Sequence, residues 1–491
     1  MLGGMVCVRT SLGDLVGEES DGIRVFRGVP FAAPPVGSAR FRVARPPVGW
    51  SGVRDAREFA RAAPQPIGQY GAAPVATDED CLYLNIHAPV EPGPHPVLVW
   101  VHGGGYTSGA SFEGVYDGSG FARRGVVVVT LAYRLGVLGL LHLRHLLGPE
   151  YADSSANALL DVVQGLRWVR EHIAAFGGDP RRVTLGGVSA GAKLTSNLLA
   201  LPAARGLFQR AIVQSGGAQT VRTVPEAEEA TGRVLAALGI APERAAALID
   251  VPVADLLAAQ AEAIGRGTGR FVFRPVVDPA GPLPLPPLRS IRGDVPILLG
   301  SNQDEEEMFA QLEGSGGRAP GPADLANLRR PDALAGLLDR YAELYPDLTG
   351  RSLRIRLLTA ESYGIPTVRL AEAQVAAGGA AYVYRFRWAA KAHPQRLGSP
   401  HVIDVPFVFG TLDTPLGRWL TGGVPVAARE LSGRIQQAWA AFVAGGAPAA
   451  DGLPEWPPYD PTERRTMVLD VPATVVGDPD REERRVWDHA L

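Results

Sequence analysis

The chain has 491 residues, 46% hydrophobic and 20% charged, with a formal net charge of −3. That mix suits a globular protein with a large core, and the lack of any basic block argues against nucleic acid or an anionic membrane surface as a partner. Two cysteines, Cys7 and Cys81, allow at most one bridge; there is no secretory-signal pattern and no run of the roughly 20 apolar residues that a membrane helix needs, so the cytoplasm is the expected location.

Basic charge is almost all arginine, the only lysines being Lys193 and Lys391. Val97–Val101 and Val126–Val129 are continuous apolar runs, the pattern of strands buried on both faces. Asn157–Phe176 carries Leu159, Leu160, Val163, Leu166, Val169 and Ile173 at helical spacing, and Arg182–Gly186 and Ala211–Val213 read as further strands. Short helices are expected over Pro225–Ile264, rich in Ala, Leu and Glu. The proline-laden tract Pro275–Pro287 can be neither a central strand nor a helix interior. The strand pattern resumes at Ile297–Gly300, Gly314–Pro322 reads as a flexible loop, Ala381–Phe386 alternates as a strand, and Arg434–Val443 is helical. Strands alternating with helices imply a mostly parallel sheet covered on both faces, an α/β fold. One domain over 1–491, with helical insertions near 225–265 and 311–375, is the expected organisation.

Gly187-Val188-Ser189-Ala190-Gly191 is a G-x-S-x-G pattern between a predicted strand and a predicted helix over Ala192–Ala200. In that setting it reads as a sharp turn presenting Ser189 as a nucleophile, rather than as a glycine-rich turn with an incidental capping serine. His102-Gly103-Gly104-Gly105-Tyr106 starts where a strand ends, so the N–H groups of Gly104, Gly105 and Ala190 can converge on an oxyanion. Neither a phosphate-binding lysine motif nor a G-x-G-x-x-G supports a nucleotide site. Of nine histidines, His102, His142, His145 and His172 precede or shape the expected elements, His87 and His95 are assigned to the surface, and His489 lies at the C-terminus. Chain order Ser, acid, His leaves His401, with His393 in reserve beside Lys391. The acid lies among Asp304, Glu305, Glu306 and Glu307, which spacing does not separate. No H-E-x-x-H or Cys/His cluster calls for a metal, and the chemistry needs no cofactor.

With these residues in place the chain resembles the type B carboxylesterases. The likeness runs through Phe26–Gly37, Glu79–Ile86, Tyr133–Gly136, Phe176–Pro180, Pro406–Gly410 and Trp456–Asp460. It implies an α/β-hydrolase fold and hydrolysis of small carboxylic esters through an acyl-enzyme. The family's Asp-Glu-Gly motif falls on Asp304-Glu305-Glu306, which makes Glu305 the acid, and its base falls on His401. The resemblance further implies a buried ion pair between Glu79 and Arg134, a bracing role for Ser215 beside the acid, and a free Cys81, because the usual cysteine partner falls near Ala63. Departures are Val188, where the family usually has Glu or Gln, Glu306 for the motif's glycine, and no tryptophan in Gln65–Asp78 on which a choline could stack. Cholinesterase activity is therefore not expected. The same site could take carbamates, aryl amides or polyesters, and a non-catalytic binding relative is a weaker reading because Ser189, Glu305 and His401 are all present. Monomer and homodimer stay open.

Overall fold

The computed structural model describes residues 4–66, 75–265, 271–312, 321, 324–325, 327, 333–348, 350–390, 393 and 395–488. The loop expected over Gly314–Pro322 lies almost wholly outside them, and Lys391 and His489 also fall outside.

The strands are β1 (Gly4–Thr10), β2 (Gly13–Ser20), β3 (Ile23–Pro30), β4 (Val53–Asp55), β5 (Tyr83–Pro89), β6 (His95–Val101), β7 (Val127–Leu131), β8 (Gly178–Val188), β9 (Arg210–Gln214), β10 (Arg222–Thr223), β11 (Val276–Val277), β12 (Ile297–Asn302), β13 (Ala381–Phe386), β14 (Arg465–Leu469) and β15 (Thr474–Gly477). Thirteen of them form one sheet in the order β1-β2-β3-β5-β7-β6-β8-β9-β12-β13-β14-β15, with β4 beside β2. From β7 to β14 every pairing is parallel; along the order from β1 to β7, and between β14 and β15, the pairings are antiparallel, and β4 lies parallel to β2. The remaining pair, β10 with β11, is a two-residue parallel contact, all the strand that the proline tract permits.

The parallel centre is apolar on both faces, and alternation sorts its side chains into two cores. Val97, Val99 and Val101 of β6 join Val183 and Leu185 of β8 and Ile297 and Leu299 of β12 in the larger core. Leu98, Trp100, Val128, Leu298 and Tyr384 face the other way. The larger core is closed by α1 (Asn157–His172), through Leu159, Val162, Val163, Leu166 and Val169, and by α2 (Ala190–Leu198), through Leu194 and Leu198. Each fully buried aliphatic side chain here contributes about 1.5–3 kcal/mol.

Next along the chain come α3 (Val224–Ala237), α4 (Val253–Gly265), α5 (Glu307–Leu312), α6 (Leu334–Leu344), α7 (Gly350–Thr359) and α8 (Ile365–Ala376). Then follow α9 (Asp404–Phe409), α10 (Val426–Ala444) and α11 (Arg481–Val486). Residues of α9 and α10, among them Phe407, Phe409, Ile435 and Trp439, close the second core. Leu334, Leu337 and Tyr341 of α6, with Leu357 and Leu358 of α7 and Trp487, make a smaller apolar cluster of their own. No helix among the described residues is long and apolar enough to cross a membrane.

The ion pairing differs from the expectation for Glu79 and Arg134. Arg134 instead takes Asp161 of α1, with Nη2 donating to Oδ1 at 2.7 Å and Nε to Oδ2 at 2.8 Å, both side chains buried. Glu79 accepts a two-pronged contact from Arg40, at 2.7 and 2.6 Å. Arg40 also donates to the carbonyls of Ile249 and Val251, both at 2.7 Å. The expected partners are separated because Asp161, on the buried face of α1, meets the guanidinium and also accepts the Arg134 backbone N–H at 3.0 Å. A second arginine was needed for Glu79, and Arg40 supplies it. Cys81 is a buried free thiol, and burial pushes its pKa up.

Candidate active site

Three neighbouring parallel strands end side by side. Ser189 follows β8, Ser215 follows β9, and Glu305 lies three residues beyond β12. Carboxyl ends of parallel strands are where α/β sheets gather ligands, because strands stop there while helix N-termini begin. Ser189 stands between β8 and α2 with φ 56° and ψ −122°, a conformation a side chain rarely adopts. The turn is held from both sides: the Ser189 N–H donates to Gln214 O and its carbonyl accepts from Lys193 N, both at 2.9 Å. Gly191 makes the turn possible, since a Cβ there would sit 2.1 Å from Val101 O.

Four carboxylates follow β12, and each has its own place. Asp304 Oδ2 accepts the Ser399 N–H at 2.9 Å, while Asp304 N donates to Ser399 O at 2.9 Å. One step along, His401 N donates to Glu305 O at 3.3 Å. These contacts stitch the two loops together and carry Glu305 Oε2 to 2.5 Å from His401 Nδ1. The other oxygen, Oε1, accepts from Ser215 Oγ at 2.6 Å and from Asn302 N at 2.7 Å. Glu306 lies against Thr359, whose Oγ1 accepts its N–H at 3.2 Å, and Glu307 pairs with Arg351 at 2.6 Å. Glu305 and His401 are 0% and 3% exposed, so their contact is protected from water. His401 Nε2 is buried with no hydrogen-bond partner among the described residues, so the Ser189 hydroxyl does not reach it in this resting geometry.

His393 does not sit in solvent as its neighbour Lys391 had suggested. It is buried, its Nδ1 accepts from Gln395 N at 3.1 Å, and its Nε2 donates to Trp419 O at 2.7 Å. His87, assigned to the surface, is buried on β5 as well.

The glycine loop follows β6 directly. A Cβ on Gly103 would lie 3.1 Å from the Ser189 Cβ, which puts this loop against the elbow. Gly104 and Gly105 have φ of 114° and 62°, and neither donates its N–H to a protein acceptor among the described residues. A Cβ on Gly104 would come within 2.0 Å of Ser108 O, so only glycine fits. Ala190 opens α2, and its N–H has no carbonyl one turn earlier to bind. His102 stacks on Tyr133 with ring centres 4.5 Å apart, and burial pushes its pKa down to about 4, so it is neutral and shapes the loop.

A family model described as "Carboxylesterase family" matches residues 5–487. The chain belongs to the carboxylesterase family. It is 37% identical to a para-nitrobenzyl esterase of Bacillus subtilis over 97% of each chain. It is also 36% identical to a phenmedipham hydrolase of Pseudarthrobacter oxydans, over 97% of this chain and 96% of that one. Among solved structures, a PNB esterase superposes with a TM-score of 0.86 at 35% identity, covering 98% of this chain and 99% of the other. A Geobacillus stearothermophilus carboxylesterase gives 0.85 at 34% identity, covering 98% and 100%. The fold is thus that of an α/β-hydrolase, and the carboxylesterase acts on carboxylic esters as a serine hydrolase.

Several residues of this carboxylesterase's site escaped sequence reasoning. Phe309 and Tyr363 flank His401, their ring centres 5.2 and 4.8 Å from that of its imidazole. Lys193, on α2, is buried with Nζ 4.0 Å from the centre of the Phe271 ring and 5.2 Å from that of Tyr363. Asp404 accepts from Tyr384 Oη at 2.7 Å and Gln214 Nε2 at 2.8 Å. Burial, then those donors and the Glu305 charge acting in opposite senses, leaves the Asp404 carboxyl above its usual range. Its position three residues after His401 was the one signal available; nothing local marked Tyr363, which a π-helical turn over Ala360–Gly364 delivers.

Proposed function

We propose that Ser189 is the nucleophile, His401 the base and Glu305 the orienting acid of this hydrolase. The contact of Glu305 with His401 Nδ1, at the end of the same strands that present Ser189, carries the reading. As the Ser189 hydroxyl attacks the ester carbonyl, its proton passes to His401 Nε2 and the new imidazolium is stabilised by Glu305. The N–H groups of Gly104, Gly105 and Ala190 receive the oxyanion, each worth about 10²- to 10³-fold in rate. The imidazolium then gives its proton to the departing alkoxide, which leaves as the alcohol. His401 next takes a proton from water as that water attacks the acyl-enzyme; collapse releases the carboxylic acid and restores Ser189. Ser215 braces the acid by filling its second oxygen.

For the substrate we propose small carboxylic esters with an aromatic alcohol portion. Support comes from the relatives named for para-nitrobenzyl esters and from the rings of Phe309 and Tyr363 beside the base. The test is turnover of para-nitrobenzyl and para-nitrophenyl esters by the enzyme and by Ser189→Ala. The variant is expected to lose at least about a thousandfold in kcat and all labelling by a fluorophosphonate while keeping its circular-dichroism spectrum. Near-normal turnover by the folded variant would overturn the assignment.

A further inference from the structure

Outside the site, His142, His145 and Glu228 bring three ligand atoms within 4.8 Å of one another. His142 is buried beneath the surface, and its ring is fixed by Ser155, whose hydroxyl lies 3.3 Å from Nδ1. The His145 ring lies parallel to it, 13° off, with centres 5.5 Å apart. His145 and Glu228 are partly exposed, and His145 Nδ1 stands 3.8 Å from Glu228 Oε1. The neighbouring guanidinium, Arg144, pairs with Asp278 at 3.2 Å and donates to the carbonyl of Ala280 at 2.8 Å.

We propose that His142, His145 and Glu228 form a binding site for a borderline divalent cation of the zinc, cobalt or nickel kind. Two imidazoles and one carboxylate suit such ions, whereas calcium and magnesium require more oxygen ligands. Donor atoms around zinc lie about 2.0–2.2 Å from the metal, so the cluster must close by roughly 1 Å. The two partly exposed side chains can make that movement by rotation while His142 stays fixed, as a ligand held by an outer hydrogen bond does.

The geometry also says what the ion would do. His142 and His145 belong to the segment after β7, and Glu228 to α3, so the cation clamps that helix onto the body of the molecule. The packing is already tied there by Thr231 Oγ1 donating to His142 O at 2.9 Å, and the ion adds a second, stronger tie at the same seam. The site is built for stability and takes no part in ester cleavage.

The experiment uses the full chain stripped with EDTA and titrated with zinc alone, read by calorimetry and by thermal denaturation. One zinc per chain should bind, and saturation at about a hundredfold excess over Kd should raise Tm by roughly 2–4 °C. His145→Ala and Glu228→Gln, both at partly exposed positions that can change without unfolding the chain, should each weaken binding at least tenfold and abolish the Tm rise. Magnesium should give no rise. Unchanged zinc affinity in both folded variants, or no saturable zinc binding by the parent enzyme, overturns the proposal.

Discussion

Replacing Glu305 by glutamine keeps the side-chain volume but leaves one oxygen and one amide where two carboxylate oxygens now serve. The oxygen facing His401 accepts from Nδ1, and the other accepts from Ser215 and Asn302. Glutamine can satisfy one side only, and the imidazolium loses its counter-charge. We expect kcat to fall about 10³- to 10⁴-fold at neutral pH, measured with a para-nitrophenyl ester, with the fold retained. At Gly104 the expected change is different in kind. Alanine there drives Cβ into Ser108 O at φ 114°, so the loop must move and kcat should fall about 10²- to 10³-fold with KM little changed. The residue scale is also where sequence reading was weakest. Ser189 and the glycine loop were legible because strained turns restrict which residues fit. Spacing alone did not separate Asp304, Glu305, Glu306 and Glu307, and only the family resemblance singled out Glu305, because their places depend on contacts between residue 304 and Ser399, which lie far apart in sequence.

At the scale of elements, charge decides how helices are tied to the sheet. Arg134 and Asp161 join the loop after β7 to α1 in a contact with 3% and 0% side-chain exposure. Asp161→Asn strips a buried guanidinium of its counter-ion and should cost about 3–5 kcal/mol in urea unfolding. Glu79→Gln, at a pair with more access to water, should cost less, roughly 1.5–3 kcal/mol. A second network holds α11 and α7 against β13: Asp480 meets Arg385 at 2.5 Å and Arg356 at 3.3 Å. Burial opposes ionisation of Asp480, but Arg385 and Arg356 outweigh it and leave the carboxyl below its usual range. A depressed carboxylate contributes stability above its unfolded value, near 3.9, and loses it as pH falls through the folded value. Asp480→Asn should therefore flatten the dependence of stability on pH below about 4, read as Tm across an acid series; an unchanged slope would count against the network. Elements of the parallel centre were readable because burial on both faces leaves unbroken apolar runs such as β6 and β7. The strands β1–β3 were not foreseen, since a partly exposed antiparallel edge mixes charges and glycines into its pattern, as Gly13–Ser20 does. The buried aspartate of α1 was missed for a related reason: a single polar residue on an apolar helix face gives no sign of what it will meet.

Over the whole molecule, topology places the chemistry. The glycine loop, Ser189, Ser215 and Glu305 all stand at carboxyl ends of parallel strands, and the order of those strands brings distant residues to one edge. That much of the architecture followed from alternating strand and helix patterns, whereas the 14-residue run between the end of β13 and His401 had no regular pattern to read. The elbow has a consequence for the unfolding of the entire chain. Ser189 and Ser215 both hold φ 56°, and each amide donates to the neighbouring strand, at 2.9 Å to Gln214 O and 2.8 Å to Gly300 O. Chemically competent enzyme thus carries a backbone distortion of about 1–3 kcal/mol at Ser189, restrained by strands that belong to the folded core. Ser189→Gly releases that distortion where Ser189→Ala does not, so the glycine form should melt at a higher temperature than the alanine form while neither turns over ester. Reactivity and heat resistance are opposed at a single α-carbon.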